Sequence, residues 1–264
     1  MGLLEIYNYL NRELSLPSSR DWLFVSSPFP LLLLTVGYLY FVLYAGPRYM
    51  KNRTPFKLRT VILIYDLIQI LANLWLLKRQ FEAGCFVFLT ELTVKNCWTQ
   101  YASIIDVSKL HITGWYGLLL KMFDYIETCI FVLRKKQNQV SVLHVYHHMS
   151  NVGCVFFNLK YFMDVRTSYF AMVNCIVHVI MYMYYFISAW SPNLQRMMSP
   201  IKRFITILQM IQFVCFLYIL LQFLTCEMPM PRGLVLLFTV NILIFLYLFY
   251  DFYKKSYTAK QKSN

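Results

Sequence analysis

Three of the chain's five histidines, His144, His147 and His148, fall within five consecutive positions. In a helix, positions i, i+3 and i+4 share one face, so the three imidazoles would project the same way. An imidazole, with an ordinary pKa of about 6.5, can serve as nucleophile, base or acid near neutral pH. The gaps and flanks are apolar: Val140, Val142, Leu143, Val145, Tyr146 and Met149, then Val152, Cys154, Val155, Phe156 and Phe157. A polar triplet kept inside such a stretch is costly, and so reads first as a functional site. Interfacial histidines near a helix end are the alternative.

Other polar groups stand at helical spacing. Lys121, Asp124 and Glu127 lie at i, i+3 and i+6, followed by Thr128. Lys121 pairs with Asp124 one turn away, offsetting part of the roughly 2.5–3.5 kcal/mol that a charge at the membrane centre costs. Glu127 has no sequence-local cation nearer than Arg134. A histidine of the next segment is its expected partner, because the short Arg134–Gln139 connection makes the two segments antiparallel neighbours. A carboxylate beside an imidazole fixes its tautomer and raises its basicity; a purely structural ion-pair network is the competing reading. Asn174, His178 and Tyr182 stand at i, i+4 and i+8, and Thr206, Gln209 and Gln212 at i, i+3 and i+6. Four such stripes on four apolar segments predict a shared interior cavity, since lipid exposure would leave these groups unpaired.

The segments that must position them are membrane spans. With 264 residues, 59% hydrophobic and 18% aromatic, the chain is too apolar for an ordinary soluble domain and has room for six or seven spans of about 20 residues. The expected fold is an all-α integral membrane protein: seven transmembrane helices, at roughly 29–44, 61–77, 113–133, 140–159, 168–190, 204–224 and 234–252, enclosing an interior substrate tunnel. Residues 1–264 form a single polytopic membrane domain in this reading. Residues 78–111, interrupted by Glu82, Glu91, Lys95 and Asp106, are expected as an extramembrane or partly re-entrant loop. No signal peptide is evident in residues 1–20, so the first span is expected to serve as its own targeting signal.

Of the 25 basic residues, the loops after spans one, three and five and the tail hold fifteen, and the opposite side nine. The positive-inside rule then places the N-terminus in the lumen and the C-terminus in the cytosol. The only N-glycosylation sequon, Asn52-Arg53-Thr54, falls on the cytosolic side, so a glycan there would overturn this topology. Lys260 and Lys262 match the dilysine pattern of endoplasmic-reticulum membrane proteins. A net charge of +13 suits an anionic membrane face or anionic substrates; no nucleic-acid partner is expected. The seven cysteines show no metal-binding spacing. Cys129, Cys154, Cys175 and Cys215 are expected as small core residues, and Cys97 with Cys226 as a lumenal pair open to oxidation.

Taken together, the motifs K-x-x-D-x-x-E-T (121–128), FVLRKK (131–136), Gln139 with HVYHH (144–148), N-x-x-x-HVIMYMYY (174–185) and T-x-x-Q-x-x-Q-F (206–213) resemble the very-long-chain fatty-acid elongase (ELO/ELOVL) family. The seven-span plan and basic tail extend the likeness over nearly the whole chain. The resemblance implies a very-long-chain 3-oxoacyl-CoA synthase of the endoplasmic-reticulum membrane. Such an enzyme joins a long-chain acyl-CoA to malonyl-CoA, giving a 3-ketoacyl-CoA two carbons longer with release of CO2 and CoA. Three departures from the family pattern stand out. Asp124 and Glu127 exchange the usual order of the two acids, Asn151-Val152-Gly153 replaces the Met-Pro often found after the histidines, and Asp164 to Ser168 replaces a glycine-rich stretch.

No thiol is placed beside the histidines by sequence, and an imidazole can take an acyl group from a thioester. The resemblance makes His147 the nucleophile. His178 and Asn174 would hold the adduct or stabilise developing negative charge, with Asp124 and Glu127 orienting His144 or His148. The polyanionic CoA head group should meet Lys121, Arg134, Lys136, Lys202 and Arg203, with Gln139, Tyr184, Thr206 and Gln209 as neutral partners. No permanent cofactor and no metal are expected, acyl-CoA and malonyl-CoA being substrates. The implied partners are the lipid bilayer, the reductases and dehydratase of the elongation cycle, and a homodimer partner left open. Rival readings are a seven-span receptor or transporter with a polar-lined pocket, and a membrane enzyme with one zinc ion on His144, His147 and His148. A di-iron site would need about eight histidines, more than this chain has.

Overall fold

The computed structural model describes residues 2–85, 104–163, 167–225 and 232–258. Every regular element among the described residues is helical. The chain folds as two compact units, Met1–Leu58 with Val107–Thr167, and Arg59–Asp106 with Ser168–Asn264.

The first unit begins with a short helix α1 (Leu3–Asn8) and an irregular stretch leading to α2 (Pro28–Tyr40). Ser27 caps α2, its hydroxyl accepting from Phe29 N, and Pro28 fills the first turn, where no backbone donor is required. A π-helical turn at Phe41–Ala45 joins α2 to α3 (Gly46–Met50). Pro47 explains that turn: it lacks an N–H, and its ring would clash with the carbonyl four residues earlier. Gly46 permits a close approach, because a Cβ there would lie 2.7 Å from a methyl of the buried Val132.

Val132 belongs to α6 (Tyr125–Leu133), separated from α5 (Val107–Phe123) by Asp124. α6 ends on Lys135, at φ 55°, with Lys136 N returning 2.9 Å to Phe131 O. This is the helix stop that usually takes glycine. α7 (Val142–Tyr161) starts from Ser141, whose hydroxyl accepts from His144 N at 3.2 Å. The core of the unit joins Val25, Leu31, Tyr38 and Val42 to Leu118, Tyr125 and Val132, and to Val152, Phe156 and Leu159.

The end of α7 also holds the segment before α2. Lys160 is fully buried, and its ammonium donates to Val25 O at 2.7 Å and Ser26 O at 3.0 Å. The Phe156 ring lies 5.7 Å from the same nitrogen. Leu16 N donates to Lys160 O, and Ser19 Oγ to Leu159 O. Phe24, next to these carbonyls, sits at φ 65°, the left-handed region that L-residues avoid.

In the second unit α4 (Arg59–Glu82) precedes α8 (Thr167–Trp190), α9 (Pro192–Met198), α10 (Ile201–Thr225) and α11 (Arg232–Tyr253). Arg59 caps α8, donating to the carbonyls of Ala189 and Trp190, where the helix dipole leaves negative charge. Asp66, Gln69, Asn73 and Gln80 are all buried on α4; their spacing puts them on one face. Gln69 Nε2 donates to Tyr65 OH at 2.8 Å, and that hydroxyl lies 3.5 Å from Tyr182 OH of α8. Phe213 of α10 stacks on Phe245 of α11, ring centres 5.0 Å apart.

Among the described residues, five helices are long and apolar enough to cross a membrane: Pro28–Met50, Arg59–Glu82, Thr167–Trp190, Ile201–Leu221 and Arg232–Thr258. They coincide with five of the seven expected spans; four are extended, and Ile201–Leu221 is shifted three residues toward the N-terminus of the expected 204–224. The other two differ for physical reasons. The expected 113–133 span is broken at Asp124 into helices of 17 and nine residues, and the 140–159 span is a 20-residue helix carrying the histidines. The expected loop 78–111 is shorter at both ends, since α4 runs to Glu82 and α5 starts at Val107. Cys97, Cys226, Lys260 and Lys262 lie outside the described residues.

Candidate functional site

The three imidazoles occupy the first two turns of α7, where the Ser141 cap fixes the helix start. His148 is buried; His144 and His147 are half-buried. The rings form one cluster, His144 to His148 at 4.3 Å between centres and His147 to His148 at 5.7 Å, both close to perpendicular. Phe131 of α6 lies 5.2 Å from the His144 ring.

Each histidine has its own polar partner. Glu127 Oε2 of α6 stands 3.8 Å from His148 Nε2, with both side chains over nine-tenths buried. Thr128 Oγ1, the next residue of α6, is 3.0 Å from His144 Nε2. Asn151, one turn along α7, places its Nδ2 2.9 Å from His147 Nε2. An amide N–H only donates, so His147 Nε2 accepts there and its ring proton rests on Nδ1. Asp124 Oδ2 is 3.6 Å from Lys121 Nζ, at the break between α5 and α6. Glu127 thus faces His148, Asp124 faces Lys121, and Thr128 brings a hydroxyl to His144. One ligand atom from each of Glu127, His144 and His148 lies within 4.8 Å of the others. That grouping holds Glu127 where sequence reading put His147.

Asn174 and His178 belong to the second unit. His178 is buried on α8, and Tyr182 sets its ring at 5.7 Å and 63° from the imidazole. The candidate head-group residues divide likewise. In the first unit Lys136 and Gln139 are exposed and Arg134 is half-buried at the end of α6, while Lys121 is mostly buried in its ion pair. In the second, Lys202 and Arg203 are exposed. Arg203 Nε donates to Tyr253 OH at 2.6 Å, Thr206 Oγ1 lies 3.3 Å from Tyr257 OH, and Gln209 Nε2 donates to Met181 Sδ at 3.3 Å. Tyr184 is half-buried on α8.

A family model described as ELO: GNS1/SUR4 family matches residues 23–264. The chain belongs to this family. An Aedes aegypti protein named very long chain fatty acid elongase is 34% identical over 247 residues, covering 93% of this chain and 68% of its own length. Very long chain fatty acid elongase 4 of Mus musculus is 32% identical over 249 residues, 92% of this chain and 76% of its own. Its Homo sapiens namesake is 31% identical over 243 residues, with the same two coverages. With its long apolar helices, this ELO chain is a multi-pass membrane protein.

Some residues at the ELO cluster escape sequence reading. Thr128 is visible in its motif, but nothing there tells which imidazole it meets. Asn151 stands out only as a departure from the family pattern, four residues after His147 and hence on its face. Tyr38 gives no signal, because a tyrosine in an apolar run reads as packing; its hydroxyl lies 3.0 Å from Thr128 Oγ1. The α4 stripe Asp66, Gln69, Asn73 and Gln80 could have been found by counting polar residues at heptad spacing.

Proposed function

We propose that this chain is the condensing enzyme of a fatty-acid elongation cycle, a very-long-chain 3-oxoacyl-CoA synthase acting through an acyl-imidazole. The observation that carries this reading is the cluster on α7, where three imidazoles each have a separate oriented partner. In the first half-reaction His147 Nε2 attacks the acyl-CoA carbonyl, displacing the Asn151 amide. The C–S bond breaks, and CoA leaves as thiol with the proton the imidazole gives up. In the second, malonyl-CoA loses CO2, and its enolate carbon attacks the acyl-imidazole. The C–N bond breaks, and a proton taken up from solvent restores the imidazole. His144 and His148, held by Thr128 and Glu127, keep the charge and proton positions around His147 fixed.

In this reading the chain is a seven-span membrane domain with an acyl tunnel, in the endoplasmic reticulum, with the N-terminus lumenal and the C-terminus cytosolic. The roles assigned to Asn174 and His178 are to hold the adduct or stabilise developing negative charge. The CoA head group meets Lys121, Arg134, Lys136, Gln139, Tyr184, Lys202, Arg203, Thr206 and Gln209. Family names and the basic loops support these assignments. The ketoreductase, dehydratase and enoyl reductase of the cycle consume the product.

The test is to incubate purified protein with palmitoyl- or stearoyl-CoA and labelled malonyl-CoA. A 3-ketoacyl-CoA two carbons longer is expected, and acyl-CoA alone should leave an acyl group on His147, read by mass spectrometry of the peptide. A protein that binds acyl-CoA but releases no CoA would be a receptor or transporter, and the reading would fall.

A second reading has one observation in its favour, the convergence of Glu127, His144 and His148. Two imidazoles and a carboxylate form a donor set that suits zinc with an open coordination position. Metal analysis separates the two: stoichiometric zinc whose removal abolishes turnover favours the second, and active metal-free protein removes it.

A further inference from the structure

We propose that Tyr38, on α2, is a positioning residue that sets the tautomer of His144 through Thr128. The proposal rests on the condensing reading only for its kinetic arm.

The geometry behind it is a reciprocal pairing of two helices. On α2, Thr35 and Tyr38 stand one turn apart; on α6, Tyr125 and Thr128 do the same in the opposite order. Thr35 Oγ1 meets Tyr125 OH at 3.1 Å, and Tyr38 OH meets Thr128 Oγ1 at 3.0 Å. The two phenol rings stack face to face between these contacts, 4.0 Å apart and within 8° of parallel. Tyr38 and Thr128 are buried, Thr128 fully.

A threonine hydroxyl carries a single proton. Thr128 Oγ1 touches both Tyr38 OH and His144 Nε2, each at 3.0 Å, and can donate to only one of them. A phenol is the more acidic hydroxyl and the better donor. Tyr38 therefore donates to Thr128, and Thr128 donates to His144 Nε2. That nitrogen is held as an acceptor, and the ring proton of His144 is confined to Nδ1. Without the phenol proton, Thr128 can equally accept from an Nε2–H, and the two tautomers mix. His144 lies edge against His148, so the choice reaches the centre of the cluster.

The first experiment needs no turnover. Protein labelled with 15N at its histidine ring nitrogens, with the His144 signals assigned through His144→Gln, should show one neutral tautomer protonated at Nδ1. Tyr38→Phe keeps the ring and its stack on Tyr125, and should show a mixture; Thr128→Val should do the same, and Thr128→Ser should restore the single form. A His144 protonated at Nε2 in the parent protein, or a tautomer unchanged in Tyr38→Phe, overturns the proposal whatever the protein catalyses.

The second experiment follows 3-ketoacyl-CoA formation. Tyr38→Phe and Thr128→Val should each lower kcat by about 10- to 100-fold, the size usual for partners that orient a functional histidine. KM for both CoA substrates should stay within about twofold. The double variant should be no slower than Thr128→Val alone, since both act through one path, and melting temperatures should match the parent. Additive losses, or a kcat deficit that Thr128→Ser fails to rescue, overturn the proposal. A parent protein that forms no ketoacyl product refutes the condensing reading and leaves the tautomer measurement standing.

Discussion

The first unit and the second treat buried polar atoms differently. In the first, polar side chains are aimed at one another across helices: Lys121 at Asp124, Glu127 at His148, Thr128 at His144, with Asn151 on His147 within α7. In the second, several oxygens sit inside without a donor among the described residues, namely Asp66 Oδ2, Asn73 Oδ1, Gln80 Oε1 and Gln212 Oε1. A cluster whose dipoles are fixed in advance spends no reorganisation energy when charge develops within it. A face with spare acceptors instead has capacity for donors from outside the protein, such as water or a substrate. The contrast is one of degree, since Asn11 Oδ1 of the first unit also lacks a donor among the described residues, and it can be broken by experiment.

The largest effect belongs to the nucleophile. His147→Ala should reduce 3-ketoacyl-CoA formation by about 1,000-fold or more and abolish the acyl adduct seen by mass spectrometry; retained turnover would mean that the ordered cluster is not where bonds change. Next comes the ion pair at the helix break. Lys121→Met removes the ammonium beside Asp124, which is 1% exposed, and should cost up to about 3–5 kcal/mol of stability. Adding Asp124→Asn should recover most of the loss, as thermal or denaturant unfolding in detergent would report. Asp66→Leu should act in the opposite direction, because no cation pairs with that carboxylate among the described residues and its burial is uncompensated. A gain of about 1–2 kcal/mol is expected, and a loss comparable to that of Lys121→Met would show a hidden partner and erase the contrast. The smallest effect is expected of Gln212→Met, which removes a neutral buried acceptor and should raise stability by no more than about 1 kcal/mol.

The sequence carries the long apolar helices and most of the cluster's membership, and their signals are of different kinds. Apolar runs of 20 or so residues announce themselves by composition, so five spans were legible to within a few residues. The break at Asp124 was not. Charges at i, i+3 and i+6, and the Lys121–Asp124 pair itself, fit an unbroken helix, and only the backbone, with one helix ending at Phe123 and the next starting at Tyr125, shows the break. The coincidence of three histidines on one face was legible from spacing, as was a meeting of Glu127 with a histidine of the next helix. Which histidine it meets depends on the rotation of α6, which packs on α2 and α3 through the Tyr38–Tyr125 stack and Gly46 against Val132, contacts between residues far apart in the chain. Tyr38 and Lys160 illustrate the limit. A tyrosine or lysine in an apolar run gains its meaning from an acceptor more than 80 positions away.

The ammonium of Lys160 also has a temporal consequence. Its acceptors, Val25 O and Ser26 O, precede it by 135 and 134 positions. A ribosome adding roughly 5–20 residues per second therefore delivers the lysine some 7–27 s after the carbonyls it will bind. During that interval the left-handed bend at Phe24 has only the local bonds of Val25 N and Ser26 N to Trp22 O and, once Trp115 is made, its bond to Leu23 O. Residues 15–27 are thus among the first made and among the last to settle, and a nascent chain arrested before codon 160 should leave them open to protease.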